Sequence, residues 1–157
     1  MDSDSTAITV SVERADAADL ESVTGFLQPF IDARCLLPRT TLELAKLLEC
    51  AFIARASDGR VAGFAALEIY SRKLSEIQCL AVSPDFRRRG IGRLLVKSCV
   101  AAAKKAGVVE LMAISSAEPM FTACGFDYSL PDQKRAFFIS PQEAEIEPED
   151  STDSEQH

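Results

Sequence analysis

The spacing of apolar residues in the first third of the chain predicts a strand followed by a helix. Residues 8–13 alternate apolar and polar positions and are rich in β-branched side chains, which favours a half-buried strand. From 17 to 30, apolar positions recur every three or four residues, as on one face of a helix. We expect Asp16 to cap this helix and Pro29 to interrupt it.

The middle of the chain predicts a second helix and then a hairpin. The helix begins after Thr40 or Thr41 and places its leucines on one face. Two strand-like runs follow, at 51–55 and 61–70, and Gly59 between them supplies the positive φ that a tight hairpin needs. We therefore expect these two strands to be antiparallel.

The last part of the chain alternates strands and helices without an internal repeat. The pattern predicts strands at 76–82, 108–114 and 136–139, and helices at 91–106 and 118–123. The whole order is strand, two helices, three strands, helix, strand, short helix, strand.

Composition and charge divide the chain into a body and a tail. A length of 157 residues with 47% hydrophobic residues fits one globular domain. Residues 141–157 hold seven of the 24 acidic residues and no Lys or Arg, which leaves 17 acidic against 17 basic residues elsewhere. We predict a flexible N-terminus at 1–6, one domain at 7–140 and a disordered acidic tail at 141–157.

Several classes of function lack the residues they need. No apolar run reaches the roughly 18 residues that span a bilayer, and the N-terminus does not resemble a signal peptide, so we expect a cytoplasmic location and no membrane partner. His157 is the single histidine, which argues against a histidine-activated nucleophile and a catalytic metal. The five cysteines lack CxxC spacing and are predicted to be reduced core residues. The charge-balanced body argues against nucleic-acid binding.

The segment 80–95 carries the candidate chemistry, because an apolar strand leads there into a turn rich in Arg and Gly and then into a helix. The first turn of a helix has unpaired N–H groups at the positive end of its dipole, and Gly90 and Gly92 let the backbone approach a phosphate closely. This predicts an anion site suited to a diphosphate. The alternative is a plain turn with solvated arginines. A Rossmann fingerprint lacks its third glycine at Leu95, and a P-loop lacks its Gly-Lys-Ser/Thr.

This turn resembles the signature of the GNAT N-acetyltransferases, which is Arg or Gln, two residues, Gly, one residue, and Gly or Ala. The matching segment is Arg87-Arg88-Arg89-Gly90-Ile91-Gly92, with Val82-Ser83-Pro84 before it and Gly125-Phe126 after it. The resemblance covers roughly 8–140. It implies an α+β (mixed α/β) GNAT fold, in which a central, mostly antiparallel twisted sheet is flanked by helices on both faces.

The resemblance implies that acetyl-coenzyme A is the cosubstrate and that its acetyl group passes to an amine. The strand backbone would pair with the pantetheine arm, the Val82 N–H would bind the thioester oxygen, and the Arg-Gly turn would cradle the pyrophosphate. The residues assigned to acetyl-coenzyme A are Leu80, Ala81, Val82, Arg87, Arg88, Arg89, Gly90, Ile91, Gly92 and Arg93.

The resemblance also points to a proton acceptor, because an amine attacks only when it is unprotonated. Glu76 lies six residues before Val82, which is the same face of a regular strand, and several family members carry a basic glutamate at this offset. The alternative is an ordinary surface carboxylate. Phe121 stands where the family often has a tyrosine that protonates the leaving thiolate, and Tyr70 and Tyr128 do not align and are assigned structural places.

Phe121 narrows the resemblance to the acetyltransferase domain of N-acetylglutamate synthases, as do the segments 36–40 and 130–135. That resemblance implies an acidic amino acid, glutamate, as acceptor. Arg39 would bind a substrate carboxylate through its planar guanidinium, the alternative being a surface arginine beside a helix.

Two other functions stay open. One is a GNAT enzyme that acetylates a protein N-terminus, a lysine or another small amine, and the other is a non-catalytic module that binds acyl-coenzyme A. Dimers are frequent among similar proteins, so the resemblance is compatible with a homodimer.

Overall fold

A single mixed sheet organises the part of the chain that the computed structural model describes, which is residues 7–128 together with Gln142. The chain divides into two units, 1–126 and 127–157, and nearly all of the second lies outside the described residues. The predicted strand at 136–139, the N-terminus at 1–6 and almost all of the acidic tail also lie outside them. The domain boundaries at 7 and 140 therefore stay a prediction.

The strands lie in the sheet in their order along the chain. They are β1 (Val10–Arg14), β2 (Ala51–Ala56), β3 (Val61–Ile69), β4 (Leu74–Val82) and β5 (Glu110–Ala113). From β1 to β4 each strand is antiparallel to the next, and β5 is parallel to β4. The mostly antiparallel sheet is confirmed, as is the hairpin between β2 and β3, where Gly59 has a φ of 89°.

Helices cover both faces of this sheet, as the predicted fold class requires. They are α1 (Leu20–Asp32), α2 (Thr41–Leu47), α3 (Ile91–Lys105) and α4 (Glu118–Ala123). Side chains of α1 and α2 pack on one face around Phe64 and Ala66, and those of α3 and α4 pack on the other around Ala65 and Leu67. Within the described part of the chain, no helix is both long and apolar enough to cross a membrane.

The start of α2 follows local rules that the sequence shows directly. The Thr40 hydroxyl accepts from the Glu43 N–H at 3.1 Å, and the Glu43 carboxylate accepts from the Thr40 N–H at 2.7 Å. This reciprocal capping satisfies two backbone donors at the helix end. It also fixes the path of the chain just after Arg39, which lies one residue before the cap.

The expectation that Pro29 interrupts the first helix is wrong, because α1 continues through Pro29 to Asp32. Asp16 does act as a cap, although it begins a short 3-10 turn that leads into α1. A proline inside a helix removes one backbone hydrogen bond. Packing of Val23 and Leu27, which are 0% and 2% exposed, holds the helix on the sheet despite that loss.

Candidate active site

An irregularity in β4 decides which side chains meet at the candidate site. Cys79 and Leu80 of β4 lie opposite the single residue Ala65 of β3, so β4 contains a β-bulge. Cys79 has a φ of 56°, which is uncommon for a residue with a side chain. One extra residue in a strand reverses the alternation of all side chains beyond it.

Because of this bulge, the side chains of Glu76 and Val82 lie on opposite faces of the sheet. Val82 packs with the α3 cluster, whereas Glu76 contacts Gln78 on the face covered by α1 and α2. The expectation of one shared face is therefore wrong, since it assumed a regular two-residue period. The six-residue separation therefore places the Glu76 carboxylate on the face covered by α1 and α2, and not beside the Val82 side chain.

The second half of β4 borders an open edge. Strand β5 pairs with β4 only from Leu74 to Ile77, and in the described range no strand pairs with that edge from Gln78 onward. The Ser83 N–H donates to the Ala62 carbonyl on the β3 side at 2.8 Å. Because successive N–H groups of a strand point to opposite edges, the Val82 N–H points to the open edge. An extended ligand with amide groups fits there as an added strand.

The turn after β4 leads to an uncapped helix N-terminus. Gly90 has a φ of 74° at the N-cap of α3, and no side chain in the described part of the chain caps that helix. Ile91 is buried and anchors the first turn, while Gly90 itself is exposed. Open N–H groups in the first turn of a helix favour an anion. This geometry is what a diphosphate requires.

The arginines of this turn fall into two groups. Arg89 donates to the Ile8 carbonyl at 3.0 Å, and its guanidinium lies 5.2 Å from the centre of the buried Phe86 ring. Arg87, Arg88 and Arg93 are exposed and form no ion pair among the described residues. The second group is free to reach an anion, whereas Arg89 also ties the N-terminal segment to the turn.

Gly92 is in close contact with α4. A Cβ at this position would lie 2.8 Å from the Met120 sulfur and 3.7 Å from a Val82 methyl carbon. Glycine at this position therefore has a packing role as well as the phosphate-binding role predicted for it.

Phe121 lies in the core between the sheet and α3. It is buried and makes an edge contact with Phe126, with ring centres 5.2 Å apart. The helix bounds of α4 agree with the predicted 118–123. The aromatic ring thus fills an apolar space and brings no hydroxyl to the site.

A polar cluster lies on the α1–α2 face, centred on Gln78, which is 8% exposed. The Gln78 amide oxygen accepts a hydrogen bond from the Arg39 guanidinium. Its amide nitrogen shares two hydrogens among three acceptors, which are Glu68 at 2.5 Å, the Tyr70 hydroxyl at 3.0 Å and Glu76 at 3.3 Å. The structure thus brings the two predicted residues Arg39 and Glu76 to opposite sides of one amide.

Tyr70 donates its hydroxyl proton to the Glu76 carboxylate at 2.5 Å. Desolvation, the hydrogen bond to Glu76 and the charges of Glu76 and Glu68 raise the pKa of Tyr70 from 10.0 to about 12. The phenol therefore stays protonated near neutral pH and remains a donor. The residue that the sequence assigned a structural place lies directly against the candidate proton acceptor.

Arg39 is a guanidinium without a carboxylate partner in the described range. Its Nε is buried and has no hydrogen-bond partner there. Arg55, by contrast, is paired with both Glu13 and Asp19. A partly buried and unpaired positive charge is unfavourable, and a bound carboxylate would relieve it. Arg39 also lines a recess with Leu27, Leu36 and Cys79, so an anion there would adjoin apolar surface.

Sequence reasoning missed Gln78, Glu68 and Tyr70. Glu68 pairs with Glu76 across the β3–β4 hairpin, and this pairing follows from a register that the sequence did not reveal. The alternation of polar residues at 68, 70, 76 and 78 was the available signal.

The prediction of core cysteines fails for Cys35, which is exposed. Among the described residues, no group of His, Cys, Asp and Glu is arranged to hold a metal ion.

An open strand edge beside a helix N-terminus suits an extended ligand that carries amide groups and phosphates. The model of the acetyltransferase (GNAT) family matches residues 21–126. An uncharacterised N-acetyltransferase of Chlorobaculum tepidum is 30% identical over 120 residues, which are 76% of this chain and 77% of that protein. The chain belongs to the GNAT family and is an acetyl-coenzyme A-dependent N-acetyltransferase.

Further relatives carry more specific names. An amino-acid acetyltransferase of Neisseria meningitidis is 29% identical over 138 residues, which are 83% of this chain and 31% of that protein. The N-acetylglutamate synthase of Neisseria gonorrhoeae, solved with coenzyme A and N-acetyl-glutamate, superposes with a TM-score of 0.64 at 28% identity, covering 73% of this chain and 27% of that one. The chain spans about a third of the length of the amino-acid acetyltransferases that it matches.

Proposed function

We propose that this enzyme transfers the acetyl group of acetyl-coenzyme A to the α-amino group of an amino acid, with glutamate as the first candidate. One observation carries the proposal. The Arg39 guanidinium, which has no carboxylate partner among the described residues, is linked through the Gln78 amide to the carboxylate of Glu76. These two groups are what an α-amino acid needs, since one binds its carboxylate and the other accepts a proton from its amine.

The likeness to amino-acid acetyltransferases supports the same substrate class. Those relatives are about three times as long as this chain, and the likeness concerns only about a third of their length. The arrangement of Arg39 and Glu76 supports an amino-acid acceptor independently of the relatives, because it is found in the structure of this chain.

The proposed reaction begins with loss of a proton from the substrate ammonium to Glu76, directly or through one water. The free amine then attacks the thioester carbonyl carbon, and a C–N bond forms. The Val82 N–H, which points to the open edge of β4, donates to the oxygen as negative charge develops on it. The nitrogen of the tetrahedral intermediate gives its second proton to water, and collapse of the intermediate breaks the C–S bond and releases the thiolate of coenzyme A. The thiolate takes a proton from water because Phe121 has none to give, and Glu76 returns its proton to the solvent, so that one proton is released in each turnover.

The test is turnover by the full chain with acetyl-coenzyme A and a panel of free amino acids, peptides with free N-termini and lysine peptides. Released thiol and acetylated product are both measured. We expect product with glutamate or a related free amino acid. Product with peptides alone would contradict the amino-acid acceptor, and coenzyme A binding without any product would contradict catalysis of this kind.

Two variants test the assigned residues. Glu76→Gln is expected to lower kcat by about a hundredfold or more, because a general base commonly contributes at least that much. Glu49→Gln is its control, since that carboxylate is exposed and lies outside the site. Arg39→Ala is expected to raise the KM for the amino acid by about tenfold or more through loss of a charged hydrogen bond. The exposed Arg72→Ala is its control. A wild-type rate in Glu76→Gln would remove Glu76 as the proton acceptor.

A further inference from the structure

Gln78 has one orientation that satisfies its neighbours. It is one of two buried polar side chains in the described part of the chain, the other being Ser75. A guanidinium only donates hydrogen bonds and an ionised carboxylate only accepts them. Turning the amide over would set its NH2 against the Arg39 guanidinium and its oxygen against Glu68 and Glu76. The observed arrangement is therefore fixed by charge on both sides.

The two carboxylates around Gln78 need such a donor. Glu68 and Glu76 are direct partners across β3 and β4, and like charges in that position destabilise a sheet. The Gln78 amide donates to both of them, and Tyr70 donates to Glu76. These hydrogen bonds hold the Glu76 carboxylate in place beside the like-charged Glu68 carboxylate.

The separation between Arg39 and Glu76 matters because of the shape of an α-amino acid. Its carboxylate and its amino group are attached to the same carbon, so the two groups that bind them must be held at a short and constant separation. Arginine and glutamate side chains are flexible, and ordering each of them on binding costs conformational entropy. A shared buried partner reduces what remains to be ordered when the substrate binds.

We infer that Gln78 is a positioning residue that fixes Arg39 relative to Glu76, so that both ends of one free α-amino acid are bound together. This inference rests on the proposed function. Gln78 acts through its two neighbours. The arrangement favours free amino acids over lysine side chains in peptides, because the carbon that bears a lysine side-chain amine carries no carboxylate.

The test compares the KM values of the two substrates in variants at position 78. Gln78→Met keeps the length of the side chain and removes its hydrogen bonds, and we expect the KM for the amino acid to rise by about tenfold or more. Gln78→Glu keeps the shape but pairs its charge with Arg39, so we expect a rise at least as large. In both variants the KM for acetyl-coenzyme A should stay at the wild-type value. Ser75→Ala is the matched control, because Ser75 is a buried polar residue of the same strand whose hydroxyl donates to the Glu110 carbonyl, and we expect both its KM values to be unchanged.

Each result has one meaning. A wild-type KM for the amino acid in either folded variant overturns the inference, and so does an equal rise in both KM values, which would mark Gln78 as a support of the strand alone. Gln78→Glu decides the question if Gln78→Met does not fold. If the wild-type enzyme acetylates no amino acid, the proposed function and this inference are both overturned. If the wild-type enzyme acetylates an amino acid and the variants keep its KM, only the inference about Gln78 is overturned.

Discussion

Replacing Gly63 by alanine is expected to destabilise the protein, because β3 and α3 are in close contact at this position. A Cβ added to Gly63 would lie 2.9 Å from a methyl carbon of Leu95, 3.1 Å from one of Ile91 and 3.1 Å from the Ala81 carbonyl oxygen. Leu95 and Ile91 are buried, so they have little free space to move into. The carbonyl belongs to the neighbouring strand and moves only with it.

The size of the effect follows from the number of contacts that must give way. Adding a methyl group to a tightly packed core commonly costs 1–3 kcal/mol, and three close contacts place this substitution at about 2 kcal/mol. For a chain of this length, that corresponds to a fall in Tm of about 7 °C. Ile91 begins α3, so we also expect the KM for acetyl-coenzyme A to rise as the helix start shifts.

Gly25→Ala is the matched control. Gly25 lies in α1 and is exposed, and apart from its chain neighbours and the adjacent backbone of its own helix no described atom would lie within 4 Å of an added Cβ. Alanine in the middle of a helix is favoured over glycine by about 0.5–1 kcal/mol, so this variant should be more stable than the wild type. Urea and thermal unfolding of the three proteins, followed by circular dichroism, measure both effects. A Gly63→Ala protein as stable as the wild type would refute the packing argument.

Two further predictions concern ionisation and thiol reactivity. Since the pKa of Tyr70 is raised from 10.0 to about 12, the folded protein keeps a proton that the unfolded chain releases, and its free energy of unfolding should fall as pH rises from about 10 towards about 12. Urea unfolding at several alkaline pH values should show a shallower fall for Tyr70→Phe, and equal slopes would contradict the raised pKa. Burial raises the pKa of the Cys99 thiol to about 12, whereas Cys35 is exposed, so alkylation followed by mass spectrometry should label Cys35 first and Cys99 only on unfolding. Equal labelling rates in the native protein would show that Cys99 is accessible.

Local signals predicted the parts of the fold that depend on neighbouring residues. The start of α2 after Thr40, the hairpin at Gly59 and the bounds of α4 all agree with the structure. Each of these features arises within about four residues along the chain, so the sequence shows both partners. The position of Pro29 misled for the complementary reason, because packing against the sheet outweighed a local preference.

The candidate site divides in the same way. The Arg-Gly turn and the start of α3 are contiguous in sequence, so the sequence predicted an anion site there and the structure has an uncapped helix N-terminus at that point. The open edge of β4 could not be predicted without knowing where β5 stops pairing with β4. That depends on a parallel contact between strands separated by the whole of α3, which no local pattern reveals.

By itself, the sequence indicated the family, the Arg-Gly turn predicted to bind phosphate and the identity of the ionisable groups, because each of these depends on residues that are adjacent in the chain. Only the tertiary structure decided which of those groups meet. The bulge at Cys79 turned Glu76 to the face opposite Val82, and the pairing of β3 with β4 placed Gln78 between Arg39 and the carboxylates. A bulge is a property of two paired strands, so the period of one strand cannot show it.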